Sequence, residues 1–148
     1  MTDKSTLPQQ LRNAKAQQLR SLQALLTVER LTASDFRWVS HAIRHAERSE
    51  HRVRVGATLV SGTRIASSCN RIRNNPTISY VHATTHAEVG AIKKAIKARG
   101  GTIYVARLGA NGGLLPSFPC ARCFPQIADA GIKRIVWWNG ERWVKGKL

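Results

Sequence analysis

The chain has 148 residues, 43% apolar and 22% charged, a size and balance that suit one globular domain and leave no room for two independent cores. Its 24 Lys and Arg against 8 Asp and Glu give a formal charge of +16, a field that attracts phosphate-bearing partners. No apolar run approaches the roughly 20 residues of a bilayer span, and residues 1–11 lack the continuous apolar core of a signal peptide, so a cytoplasmic protein with no membrane partner is expected.

From Leu7 to Leu31 the apolar residues Leu11, Ala14, Leu22, Leu25 and Leu26 recur at roughly helical spacing, which predicts one amphipathic helix. We treat residues 1–31 as a helical extension and 32–148 as the main domain. Thr32 with Asp35 predicts a capping box, and Phe36, Val39, Ile43 and Ala46 form the apolar stripe of a second helix ending near Ser49.

Two strands, Gly56 to Val60 and Arg64 to Ser68, are separated by the turn Ser61-Gly62-Thr63. Cys69 and Asn70 stand at the end of the second. After a loop from Arg71 to Thr85, Ala87 to Ala98 reads as a helix stopped by Gly100-Gly101. Strand Thr102 to Ala106, loop Leu108 to Pro119, helix Cys120 to Ala130 and strand Lys133 to Trp138 follow. Asn139-Gly140 then predicts a hairpin with the run Arg142 to Val144.

His86 and Glu88 fall at one predicted helix start, and Pro119-Cys120-Ala121-Arg122-Cys123 opens the next. One imidazole and two thiols are ligand types suited to Zn²⁺, and three protein ligands leave a fourth position for water. An open position points to hydrolysis, with Glu88 available to move protons. A lone Cys-x-x-Cys also fits a redox pair or half of a structural zinc knuckle, but the chain contains no second such pair. His82 reads as a loop residue, Cys69 as a small buried one, and His41, His45 and His51 as ordinary polar residues.

The pairing of His86-Ala87-Glu88 with Pro119 to Cys123 is the H-x-E and P-C-x-x-C signature of zinc-dependent nucleobase deaminases. With the order of elements from about Val53 to Val144, the chain resembles the cytidine deaminase-like superfamily. That resemblance implies a three-layer α/β/α fold around a mixed sheet of about five strands, with a C-terminal antiparallel hairpin after the N-terminal helical extension. It implies hydrolytic deamination of cytosine to uracil, with His86, Cys120 and Cys123 as Zn²⁺ ligands and Glu88 as the catalytic proton carrier. Relatives assemble as dimers, tetramers or hexamers, so a homo-oligomer is expected.

For substrate binding, the resemblance places Asn70 against the sugar and carries Ala87 and Pro119 over with their motifs. A turn-capping role fits Asn70 as well. Arg71 and Arg73 follow at once and suit a phosphate, or are solvated loop charges.

In related polynucleotide and tRNA deaminases the fifth strand runs parallel to the fourth, which needs a crossover of about a dozen residues. The short Asn139-Gly140 link instead resembles the branch acting on free nucleosides, so a free pyrimidine nucleoside or nucleotide is the expected substrate. The charge favours single-stranded DNA or RNA: within residues 55–148 the only acids are Glu88, Asp129 and Glu141. Phe118, Phe124, Trp137, Trp138 and Trp143 fit base stacking or, more simply, a core. A nonenzymatic nucleic-acid-binding protein with a structural zinc is the alternative from a different class.

Overall fold

The computed structural model describes Asn13, Gln17, Gln18, and residues 20–72 and 84–148. Its elements are β1 (Thr27–Glu29), α1 (Ala33–Glu47), β2 (Arg54–Ser61), β3 (Arg64–Cys69), β4 (Arg71–Ile72), β5 (Thr84–Thr85), α2 (Ala87–Lys94), β6 (Thr102–Leu108), β7 (Leu114–Leu115), α3 (Cys123–Asp129), β8 (Arg134–Trp138) and β9 (Trp143–Lys147).

Strand alternation divides the core into two layers. Ala57, Leu59, Ile103, Val105, Ile135 and Trp137 face Ala87 and Ala91 of α2 and Phe124 and Ile127 of α3. Their neighbours Tyr104, Ala106 and Val136 face Val39 and Ala42 of α1. The result is the expected α/β/α sandwich.

The main sheet runs β1-β9-β8-β6-β2-β3, with β7 added to β6. β6 and β8 are parallel, as a strand-helix-strand crossover requires, and every other pair in the sheet is antiparallel. The five expected strands are all present, and β1 and β7 add two short ones. The β8–β9 hairpin forms, but through a four-residue loop: Asn139 N–H donates to Arg142 O at 3.0 Å, and its Oδ1 accepts the N–H groups of Glu141 and Arg142.

The N-terminal helix does not reach Leu31. Residues 20–23 are helical, Thr27–Glu29 is a strand pairing with β9, and Leu26 is buried over Gly146 and Trp137. Helical spacing of leucines carried the reading too far, because Leu26 is core through a tertiary contact and not through a helix face.

α1 begins as expected. Thr32 Oγ1 accepts the Asp35 N–H and Asp35 Oδ2 accepts the Thr32 N–H at 2.7 Å. Its buried face is Asp35, Val39, Ala42 and Ala46, while Phe36 is 51% exposed, so the face is turned by about one residue from the apolar stripe. The reason is the close approach to β2. A Cβ on Gly56 would lie 2.1 Å from Ala42 O and 2.4 Å from Ala46 N, so only small residues fit between helix and strand. Asp35 turns inward to meet Tyr104 and Lys145.

α2 stops at Lys94, short of the expected Ala98, with Ala95 extended and Ile96 82% exposed. The loop between β3 and α2 supplies the two-stranded pair β4–β5. Most of the expected loop, with Arg73 and His82, lies outside the described residues.

Candidate active site

β2 begins and β6 ends beside the start of α2, and the approach to α3 crosses the same point. This convergence shapes a cavity of about 330 Å³ whose wall includes His51, Asn70, His86, Glu88, Arg107 and Cys120. Asn70, Ala87, His86, Glu88 and Cys120 therefore line one space.

His86 is the N-cap of α2, in extended conformation, with no capping bond from its side chain. Its Nδ1 lies 3.2 Å from Cys123 Sγ and 3.6 Å from Cys120 Sγ. All three ligand atoms fall within 4.8 Å of one another. Tetrahedral zinc with bonds of about 2.1 Å to nitrogen and 2.3 Å to sulfur separates its ligands by about 3.6 Å, so this donor set fits the ion in both chemistry and spacing.

Cys120 lies just before α3, and the N–H groups of Cys123 and Phe124 close on its carbonyl at 3.0 and 2.9 Å. Sharing a proton with the Cys123 thiol, together with bonds from His86 and the N–H groups of Cys123 and Arg122, holds the Cys120 thiol down at about 3. The partner Cys123 is pushed up by that same sharing, by burial and by the Glu88 charge. The Cys120 thiolate in turn holds the His86 imidazole above its ordinary value. Metal binding at such a pair displaces the shared proton.

Glu88, in the first turn of α2, is buried, and burial pushes its carboxyl above the ordinary range. A carboxyl raised this way moves protons more readily near neutral pH than an exposed one.

Asn70 is held on three sides. Its Oδ1 accepts from Ser49 Oγ at 2.6 Å and Val55 N–H at 2.9 Å, and its Nδ2 donates to Val53 O at 2.8 Å. One Nδ2 hydrogen is left for the cavity.

Pro119 is fully buried next to the cavity wall, while Phe118 forms part of the wall. Arg71 is exposed and lines a neighbouring cleft. Phe118 packs edge-on to Trp137 at 4.9 Å, and Trp137 and Phe124 are core residues.

Three polar wall residues escaped sequence reading. Ser117 Oγ donates to Val105 O at 2.6 Å and accepts the Trp138 N–H at 2.9 Å, pinning the approach to Cys120 across β6 and β8. His51 presents a buried Nδ1 with no partner among the described residues. Arg107 follows Val105 by two positions, so strand alternation from Val105 was the signal that could have found it.

The sequence matches the cytidine and deoxycytidylate deaminase zinc-binding region over residues 32–139. The chain belongs to that family. No curated protein matches the sequence.

Among solved structures, the deaminase fold is similar to cytidine deaminase from Burkholderia pseudomallei, at 22% identity and TM-score 0.59, covering 79% of this chain and 92% of that one. It is similar to dCMP deaminase from the cyanophage S-TIM5 in apo form, at 20% identity and TM-score 0.52, covering 71% and 82%. It is also similar to cytidine deaminase from Mycobacterium tuberculosis, at 19% identity and TM-score 0.51, covering 76% and 89%. The metal of this deaminase family's region is zinc, and His86, Cys120 and Cys123 are the cluster that fits it. Among the described residues no helix is long and apolar enough to cross a membrane.

Proposed function

We propose that the protein hydrolyses the exocyclic amine of cytosine to give uracil and ammonia, in a free nucleoside or nucleotide. The observation that carries this reading is the buried Glu88 carboxyl in the wall of the same cavity as His86 and Cys120, with Cys123 completing the donor set.

His86, Cys120 and Cys123 would hold Zn²⁺, which when bound would supply a Lewis acid able to bring the pKa of a water down to about 7. Glu88 takes a proton from the attacking water and gives it to the ring nitrogen as the C4–O bond forms, then moves the remaining hydroxyl proton to the exocyclic amine, which leaves as ammonia when the C4–N bond breaks. Asn70 offers its remaining Nδ2 hydrogen to the sugar, and Ala87 and Phe118 wall the base. The cavity of about 330 Å³ suits a single base with its sugar. The antiparallel β8–β9 hairpin, which the chain shares with the free-nucleoside branch it resembles, supports a small substrate.

A second reading, cytosine in single-stranded DNA or RNA, is favoured by the charge of +16. The test is ammonia release by the zinc-loaded protein from cytidine, deoxycytidine, their monophosphates and a cytosine-containing oligonucleotide, beside Glu88→Ala. Turnover of the small substrates that is lost in the variant upholds the reading, and turnover of the oligonucleotide alone supports the second. Equal release by both proteins, or none from any substrate, overturns it.

A further inference from the structure

A second cleft, of about 600 Å³, opens on the other side of Asn70, lined by His45, Arg48, Glu50, Asn70, Arg71 and Lys94 with Ser68 and Cys69. It follows β3, the edge strand of the main sheet. His45 and Arg48 come from the end of α1, Lys94 from the end of α2, and Arg71 from β4 just past β3. Asn70 belongs to both walls, so cleft and cavity are adjoining spaces.

We propose that this cleft binds the phosphate carried by the substrate's sugar, with Arg48, Arg71 and Lys94 as the cationic contacts. The proposal rests on the reading of the neighbouring cavity as the base site.

Three cations converge here with one acid, Glu50, and neither Arg48, Arg71 nor Lys94 forms an ion pair with another described residue. Lys94 Nζ spends one hydrogen on Ser67 O at 3.2 Å, leaving two. Cations in the last turns of α1 and α2 suit the helix dipoles, but Arg71 belongs to neither helix. Three cations gathered around one carboxylate leave an excess of positive charge, which a phosphate neutralises while accepting forked guanidinium bonds. His45, on the same wall, senses this field: burial, His41, Arg48, Lys94 and Arg44 together hold its imidazole below the ordinary value.

The connectivity of a nucleotide matches the layout. A sugar set against Asn70 with its base toward Glu88 directs its next substituent, a phosphate, into the adjoining space. A neutral nucleoside leaves the cleft unused.

Charge reversals at the exposed Arg48 and Lys94 test the assignment, with Arg142→Glu on the β8–β9 loop as an equal change of charge elsewhere. Binding of dCMP and of a fluorescein-labelled cytosine-containing single-stranded 12-mer (read by anisotropy for the 12-mer and calorimetry for dCMP) is measured with the zinc-free and zinc-loaded full chain across salt concentrations. We expect R48E and K94E each to weaken binding at least about tenfold and to flatten the salt dependence, with R142E near wild type. The ratio of kcat/KM for the phosphate-bearing substrate to that for deoxycytidine should fall by a similar factor.

Loss with both probes assigns the cleft to the substrate's own phosphate, and loss with the 12-mer alone to a flanking phosphodiester. Either supports the proposal. No binding of either probe by the wild type, wild-type affinity in R48E and K94E, or equal weakening in R142E overturns it. If binding responds as expected but no substrate releases ammonia, the phosphate site stands and the deaminase reading falls.

Discussion

The Tyr104 hydroxyl donates to Asp35 Oδ1 at 2.6 Å, tying the first turn of α1 to the middle of β6. Lys145 from β9 meets the other oxygen at 2.9 Å, so one buried carboxylate joins three elements and also caps a helix. Asp35→Ala should lower the unfolding free energy by about 3 kcal/mol, measured by urea denaturation, because it strands Lys145 and Tyr104 and removes half of the capping box.

The same carboxylate sets an acid limit. Burial pushes Asp35 up, but the bonds from Tyr104, Thr32 and Lys145 outweigh it and hold the group below its ordinary 3.8. Its stabilisation is complete above that value and is lost as pH falls through the depressed one. The stability difference between wild type and Asp35→Asn should therefore be constant above about pH 5 and shrink steadily below about pH 4.

His41 and His45 act in the opposite pH range. Their rings stack at 4.9 Å, and His41 Nδ1 lies 3.0 Å from Thr58 Oγ1 and 3.2 Å from Ser67 Oγ. Burial first, then the neighbouring cations, holds both below the ordinary 6.5. The unfolded chain takes up their protons at higher pH, so stability should fall as pH drops from 6.5 through the depressed values and level off below them. A double His41→Asn, His45→Asn variant should show a flatter melting temperature between pH 7.5 and 5.

Metal and chemistry should separate by mutation. Cys123→Ser and His86→Ala should lose bound zinc, read by metal analysis after dialysis, whereas Glu88→Gln should keep one ion per chain while kcat drops by roughly 10²- to 10⁴-fold. Equal zinc loss in Glu88→Gln would make Glu88 a ligand and not a proton carrier.

Ser117→Ala should be felt in both stability and rate. It leaves the Val105 carbonyl and the Trp138 N–H without their side-chain partner. We expect a loss of about 2 kcal/mol in urea denaturation and roughly tenfold in kcat/KM, since the segment leading to Cys120 is released.

Local chemistry was legible in the sequence, and tertiary geometry was not. Thr32 and Asp35 announced their cap because both partners sit within one turn, and His86, Cys120 and Cys123 announced a metal site because two short motifs carry all three ligands, with Glu88 beside His86. Asn139-Gly140 announced the hairpin. The inward turn of Asp35, by contrast, depends on Tyr104 and Lys145, far away in sequence. Leu26 and β1 were hidden because their partner is β9. His51, Arg107 and Ser117 carry no motif, and they reach the cavity only through the paths of β2, β6 and the loop before α3.

The β1–β9 ladder pairs Val28 with Gly146, so the edge of the sheet is built from two widely separated stretches of chain. Closing a loop of that length is entropically slow, and the ladder it gains is three residue pairs long. This seam should dock last during folding and fray first under stress, exposing Trp137 beneath Leu26 as a built-in fluorescent reporter of the earliest opening.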